Sequence, residues 1–310
     1  MPGPPEAAAL AALAGFLEAT IRVATPLGFA ALGETIAERT GVINVGLEGA
    51  MLAGALGAAI GALAGDSPWT GLAAGAAAGG LVAAVFAVFV VGLRADQIVT
   101  GTAMTLLAIG VTGAAYRAAF GTTGAALAVP TFGPAAVPGL ARLPVIGGAL
   151  FAQAAPTYLL FLLVPVVWWV LMRSQAGLAM RAAGEAPHAA EAAGIRVRRW
   201  RAGATVVGGA LGGLGGAALV LAQAGTFAER MTAGRGFIAI AIVVLGRWHP
   251  LGVAAAALVF GAASALQYAA QAAQLDVPYQ LILMAPYVMT LLALAGVGGR
   301  AKAPEYLGRA

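Results

Sequence analysis

The sequence predicts an all-α, polytopic membrane protein with about nine (eight to ten) transmembrane helices in one domain over residues 1–310. Three observations carry that expectation. Of the 310 residues, 61% are hydrophobic and only 9% are Asp, Glu, Lys or Arg, against roughly 25% charge in a soluble domain. Mean hydropathy is +0.92. The apolar residues fall in runs of about 20, the length that spans a bilayer as a helix, rather than in the ten-residue alternating segments of a membrane barrel. This composition excludes a water-soluble enzyme. It also excludes disorder, because disordered chains are rich in charge and poor in apolar residues.

The first span is expected over 7–32, with Glu18 and Arg22 one helical turn apart. Met1 to Ala9 holds no Lys or Arg, so this run lacks the positive n-region of a secretory signal and reads as a retained span. The second runs from Val45 to Gly65 and ends at the turn Asp66-Ser67-Pro68. The third covers 69–93 and the fourth 98–117. From Ala118 to Leu150, Gly and Pro recur too often for one straight helix, and this broken segment 118–150 is expected to face outward. A fifth span over 155–172 leads into a basic loop, 173–201, and a sixth covers 202–222. The short apolar run Phe237 to Leu245 stops at Gly246-Arg247-Trp248-His249-Pro250. Runs at 251–270 and 280–298 complete the nine.

Charge orients them. If loop 173–201 is cytoplasmic, alternation puts 34–44, 94–97, 246–250 and the tail from Arg300 on the same side. That side then holds Arg39, Arg94, Arg173, Arg181, Arg196, Arg198, Arg199, Arg201, Arg247, Arg300, Lys302 and Arg309, twelve of the 17 basic residues. The other side holds Arg117, Arg142, Arg230 and Arg235, and Arg22 lies within a span. This bias points to an outside N-terminus and a cytoplasmic C-terminus. Most of the +5 net charge is thereby placed, and a basic stripe for nucleic acid is not needed.

Glycines recur at four-residue spacing at 57, 61 and 65, at 71, 75 and 79, and at 208, 212 and 216. Such stripes let membrane helices approach closely, although a GC-rich genome alone would also enrich Gly and Ala. Chemistry is scarce. With no Cys there is no disulfide, thiol chemistry or Cys-ligated metal. The single lysine, Lys302, precedes Ala303, so no Gly-rich loop ending in Lys-Ser/Thr can cradle ATP phosphates. His188 and His249 lack metal-ligand spacing, and no cofactor is expected. Only Glu18, Arg22 and Glu48 are ionisable within spans, which is little for a proton relay.

Two segments stand out. In Gly33 to Met51, polar residues interrupt an apolar region, and Asn44 and Glu48 lie four apart on one helical face. Irregular backbone at membrane depth is tolerated only when buried in protein or lining a cavity, so a cavity lining or hinge is expected, with an interfacial loop as the alternative. The second segment is Arg181 to Ile195. Pro187 suits a first helical turn and Gly194 the position just past a helix end. The short cytoplasmic helix between them offers Ala189, Ala190, Ala192 and Ala193 as a small docking surface, unless the loop only supplies positive charge.

At these segments the chain resembles a known family. Gly41-Val42-Ile43-Asn44-Val45-Gly46-Leu47-Glu48-Gly49, and Gly184-Glu185-x-Pro187-x-Ala189-Ala190-x-x-x-Gly194-Ile195, are similar to permease subunits of bacterial ABC importers for branched-chain amino acids, simple sugars and nucleosides. Asp96 to Ala103, Arg235 to Ala239 and Gly246-Arg247-Trp248-x-Pro250-Leu251-Gly252 look like the nucleoside (basic-membrane-protein-dependent) type. The resemblance implies an ABC importer permease fold in the cell inner membrane. The expected partners are a second permease subunit of a different chain, a cytoplasmic ABC ATPase, an extracytoplasmic substrate-binding lipoprotein and membrane lipid. It also implies that a helix at about 185–194, with Gly184, Glu185, Pro187, His188, Ala189, Ala190 and Gly194, couples to the ATPase.

A path for an uncharged, amphipathic solute needs hydrogen-bonding side chains and few full charges. Asn44, Glu48, Gln97, Thr100, Thr102, Thr105 and Gln223 are the candidates. A sugar (ribose-like) would use a similar lining. An ion-coupled secondary transporter is the reading from another class.

Overall fold

A computed structural model of the chain describes residues 5–121, 128–272, 284, 288–291, 295 and 302–309. It is helical, and among the described residues the only extended pairing is an isolated antiparallel bridge between Pro134 and Ala154. Helix α1 runs Pro5–Glu38, six residues past the expected end. The polar stretch Gly33 to Glu38 stays helical because it is buried: Glu34 and Thr35 are 0% exposed and Glu38 1%. The chain turns at Gly41, whose φ of +95° suits a residue without a Cβ. Next come α2 (Leu47–Ala64), α3 (Pro68–Ala87) and α4 (Gln97–Phe120). Ser67 caps α3 by accepting from the Trp69 N–H with Pro68 behind it, and Asp96 caps α4 by accepting from Ile98 and Val99 N–H.

Of the segment 118–150, the first three residues extend α4 and the rest is irregular where it is described, up to a six-residue helix, α5 (Ile146–Phe151). Then follow α6 (Ala155–Arg173), α7 (Gln175–Glu185), α8 (Pro187–Ala192), α9 (Val197–Leu219), α10 (Arg235–Leu245) and α11 (Pro250–Ala272). Six of the described helical stretches are long and apolar enough to cross a membrane, and α10 and the described part of α11 are shorter apolar helices. The expected count of about nine is not confirmed. Half-length α10 supplies one of the nine expected runs, and the run at 280–298 lies largely outside the described residues.

Helix α9 is the central post. It runs antiparallel to α1 and packs on α2 and α3 through backbone rather than side chains. A Cβ on Gly54 would lie 2.5 Å from the Gly213 carbonyl oxygen, and one on Gly79 2.5 Å from that of Gly209. Along α1, a Cβ on Gly208 would lie 2.6 Å from the Gly33 carbonyl oxygen, and one on Gly215 2.7 Å from that of Pro26. Lipid supplies no hydrophobic drive between helices, so this close packing of small residues holds the bundle together. Phe29, Leu32, Met51, Ile242 and Phe260 fill the space between α1, α2, α10 and α11.

Candidate functional site

The basic segments of the chain meet at one end of the bundle. Arg201 donates to the carbonyl of Thr40 at 3.1 Å, and Arg39 to that of Trp248 at 2.8 Å. Arg198 reaches the carbonyls of Val91 and Gly92 at 3.2 and 2.7 Å. The tail joins them: Tyr306 N–H donates to the Gly184 carbonyl and Gly308 N–H to that of Gly41. The residues after α1, before α4, around α7 and α8, after α10 and in the tail thus form one layer, the grouping that the charge pattern implies.

Within that layer the expected helix at 185–194 is divided. Gly184 and Glu185 close α7, and α8 begins at Pro187, because proline has no N–H to continue the previous helix. Gly194 follows at φ +84°. The expected alanine surface is split as well. Gly184, Pro187 and Ala190 face inward, with Ala190 packed on Ala183 and Val197. His188, Ala189, Glu191, Ala192 and Ala193 are exposed. The His188 ring packs edge-on against Tyr306. Helix α8 is therefore a braced knob. In the sequence the tail that braces it reads only as positive charge, and nothing local in it signals the contact.

The seven candidate path residues do not share one cavity. Five lie near the start of α4. Gln97, 4% exposed, accepts from the Ile43 N–H at 2.7 Å; Thr105 reaches the Val45 carbonyl at 3.4 Å; Asn44 is 1% exposed, and its N–H donates to Glu34 Oε1 at 2.7 Å. Thr100 lies half-buried nearby, while Thr102 is exposed on the outer face of α4 and donates to the Ile98 carbonyl.

Glu48 serves α10. Its Oε1 accepts from the Thr232 hydroxyl at 2.6 Å and the Gly234 N–H at 2.8 Å, and its Oε2 from the Gly236 N–H at 2.7 Å. A helix that begins inside the bundle leaves N–H groups without partners and a positive dipole end. Glu48 answers both. Gln223 has a comparable task. Pro26 has no N–H for the Arg22 carbonyl four residues earlier, and Gln223 Nε2 donates to that oxygen at 2.7 Å.

Gln223 also borders a cavity of about 160 Å³ at the end opposite α8, with Glu18, Arg22 and Thr25 of α1, Gln153, Thr157 and Phe132. Thr25 and Thr157 share a hydrogen bond at 3.1 Å. Gln153, 4% exposed, holds the carbonyls of Gly148 and Ala149. Sequence reasoning noted Glu18 and Arg22 as ionisable but missed the cavity, because Phe132 and Gln153 come from the irregular segment and its edge. The i, i+4 spacing of two charges in an apolar helix was the available signal.

Residues 16–294 match the family described as branched-chain amino acid transport system, permease component. The chain is 38% identical to NupQ, a guanosine ABC transporter permease protein of Bacillus subtilis, over 93% of each chain. It is 36% identical to NupC, a nucleoside ABC transporter permease protein of Lactococcus lactis, over 91% of each. It is 40% identical, over 84% of this chain and 79% of the relative, to TsgC13 of Haloferax volcanii, provisionally named a glucose ABC transporter permease protein. No solved structure matches the chain significantly.

Proposed function

The chain belongs to the branched-chain amino acid transport system permease family, and on that premise we propose that it is one of two permease subunits of an ATP-driven importer of nucleosides. The observation that carries the substrate is the likeness to NupQ, 38% identical along 93% of both chains. The likeness to TsgC13 keeps a sugar as the second reading. ATP hydrolysis belongs to a cytoplasmic partner, and the exposed face of α8 is the knob on which that partner closes. The basic end is then cytoplasmic, in keeping with its arginines, and a substrate-binding protein delivers solute at the opposite end.

The solute meets the polar cavity of Glu18, Arg22 and Thr25. At about 160 Å³ it is smaller than the roughly 300 Å³ of a typical small-molecule pocket. It fits one ring of a nucleoside, and the second permease provides the rest. Thr102, exposed on α4, is a path residue only if that face of α4 meets the second permease.

The test is a titration of the partner binding protein with guanosine, adenosine, ribose, glucose and leucine. Tightest binding of a purine nucleoside is expected. Preference for glucose or ribose would move the assignment to a sugar, and preference for leucine would remove the nucleoside reading altogether.

A further inference from the structure

The start of α9 carries two arginines whose side chains have no partner among the described residues. Arg196 and Arg199 are exposed, and neither guanidinium makes a hydrogen bond or ion pair with a described residue. With Trp200, Gly203 and Val207 they lie at helical spacing along one side of α9. That side forms the wall of a groove of about 550 Å³, closed by Ile36, Val167, Leu171 and Met180. A second groove, of about 650 Å³, lies on the other flank of the same turns, against Ala84, Val88 and Val91 of the α3 segment. Both grooves include Arg199, Gly203 and Val207. Gly203 opens them: a Cβ there would meet nothing within 4 Å.

The chemistry of these surfaces is that of a lipid. Each groove is apolar along its length and charged only at the α9 start. From Arg199 to Val207 is eight residues, about 12 Å of helix rise at 1.5 Å per residue. That is most of one leaflet of a hydrocarbon core roughly 30 Å thick. Two parallel apolar grooves sharing one cationic rim call for two chains on one anionic head. The tryptophan at the rim suits the headgroup level, and basic pockets between spanning helices bind anionic lipid heads in this way.

We propose that the start of α9 is a binding site for a diacyl anionic phospholipid, its phosphate on Arg196 and Arg199 and one acyl chain in each groove beside Gly203. The site depends on the chain spanning a membrane and is independent of which solute is carried.

Native mass spectrometry of the full chain with its co-purifying subunits tests this, using phosphatidylglycerol, phosphatidylcholine and lysophosphatidylglycerol as probes. The expected result is at least tenfold preference for phosphatidylglycerol over both others. Arg196→Gln with Arg199→Gln should abolish the preference over phosphatidylcholine, and the corresponding double Lys variant should keep it. Gly203→Leu, which fills the grooves and leaves the arginines, should lower phosphatidylglycerol binding as well. Equal binding of the two diacyl lipids, or a preference that survives the double Gln change, overturns the proposal. So does photocrosslinking of another subunit through a benzophenone-maleimide on Gly203→Cys in this Cys-free chain, because the grooves would then be a subunit interface.

Discussion

Glu48, a candidate for the solute path, has its carboxylate engaged at the start of α10. Its carboxylate accepts from Thr232, Gly234 and Gly236, groups more than 180 residues away in sequence that no local pattern announces. Glu48→Ala should lower stability by about 3 kcal/mol, since it strands buried donors that faced a charged acceptor. The readout is the thermal unfolding midpoint in detergent. Glu48→Gln, which keeps one acceptor oxygen, should fall between. An unchanged midpoint with a raised transport KM would return Glu48 to the solute path. Arg22 and Glu18 carry the opposite expectation. Arg22→Ala should raise the KM for nucleoside uptake about tenfold, equivalent to roughly 1.4 kcal/mol, while basal ATPase activity holds. A lost ATPase rate with unaltered KM would remove the cavity from the path.

At the scale of the elements, the spans were legible where hydrophobic length and capping agree. The turn at Ser67-Pro68 and Gly194 each mark an end that the structure keeps. The exceptions have physical causes. Helix α1 runs on to Glu38 because its polar last turns are buried, and burial depends on the whole bundle. Helix α8 shortens to six residues because Pro187 cuts it from α7. The stripe at 208, 212 and 216 was readable as a packing face, but not its partners on α1 and α2. Gly54→Val, forced against the Gly213 backbone, should cost about 1–3 kcal/mol as an overpacked contact, read as a lower unfolding midpoint. Ala189→Trp on the exposed face of α8 should leave that midpoint unchanged and cut solute-stimulated ATPase activity at least several-fold. Full stimulation in the Trp variant would detach α8 from coupling.

At the scale of the whole molecule, one pattern joins sequence and structure. Arg39, Arg198, Arg201 and Arg309, from segments up to 270 residues apart, meet in a single layer with α7 and α8. Alternation of the spans groups these segments in the sequence and the charge bias agrees, because the membrane sorts basic loops to one side. The candidate solute path was less legible. Polar side chains in a lipid-soluble chain serve helix caps and proline gaps as readily as cargo, and only the fold separates the two.

In the proposed importer an ATP-hydrolysing partner drives nucleosides through a path to which this chain contributes half. The most direct measurement is radiolabelled guanosine uptake into proteoliposomes holding this chain, the second permease, the ATPase and the binding protein. Uptake should require ATP inside, be competed by adenosine but not leucine, and be lost with Ala189→Trp. Uptake that persists without the ATPase and follows an imposed ion gradient would contradict this reading.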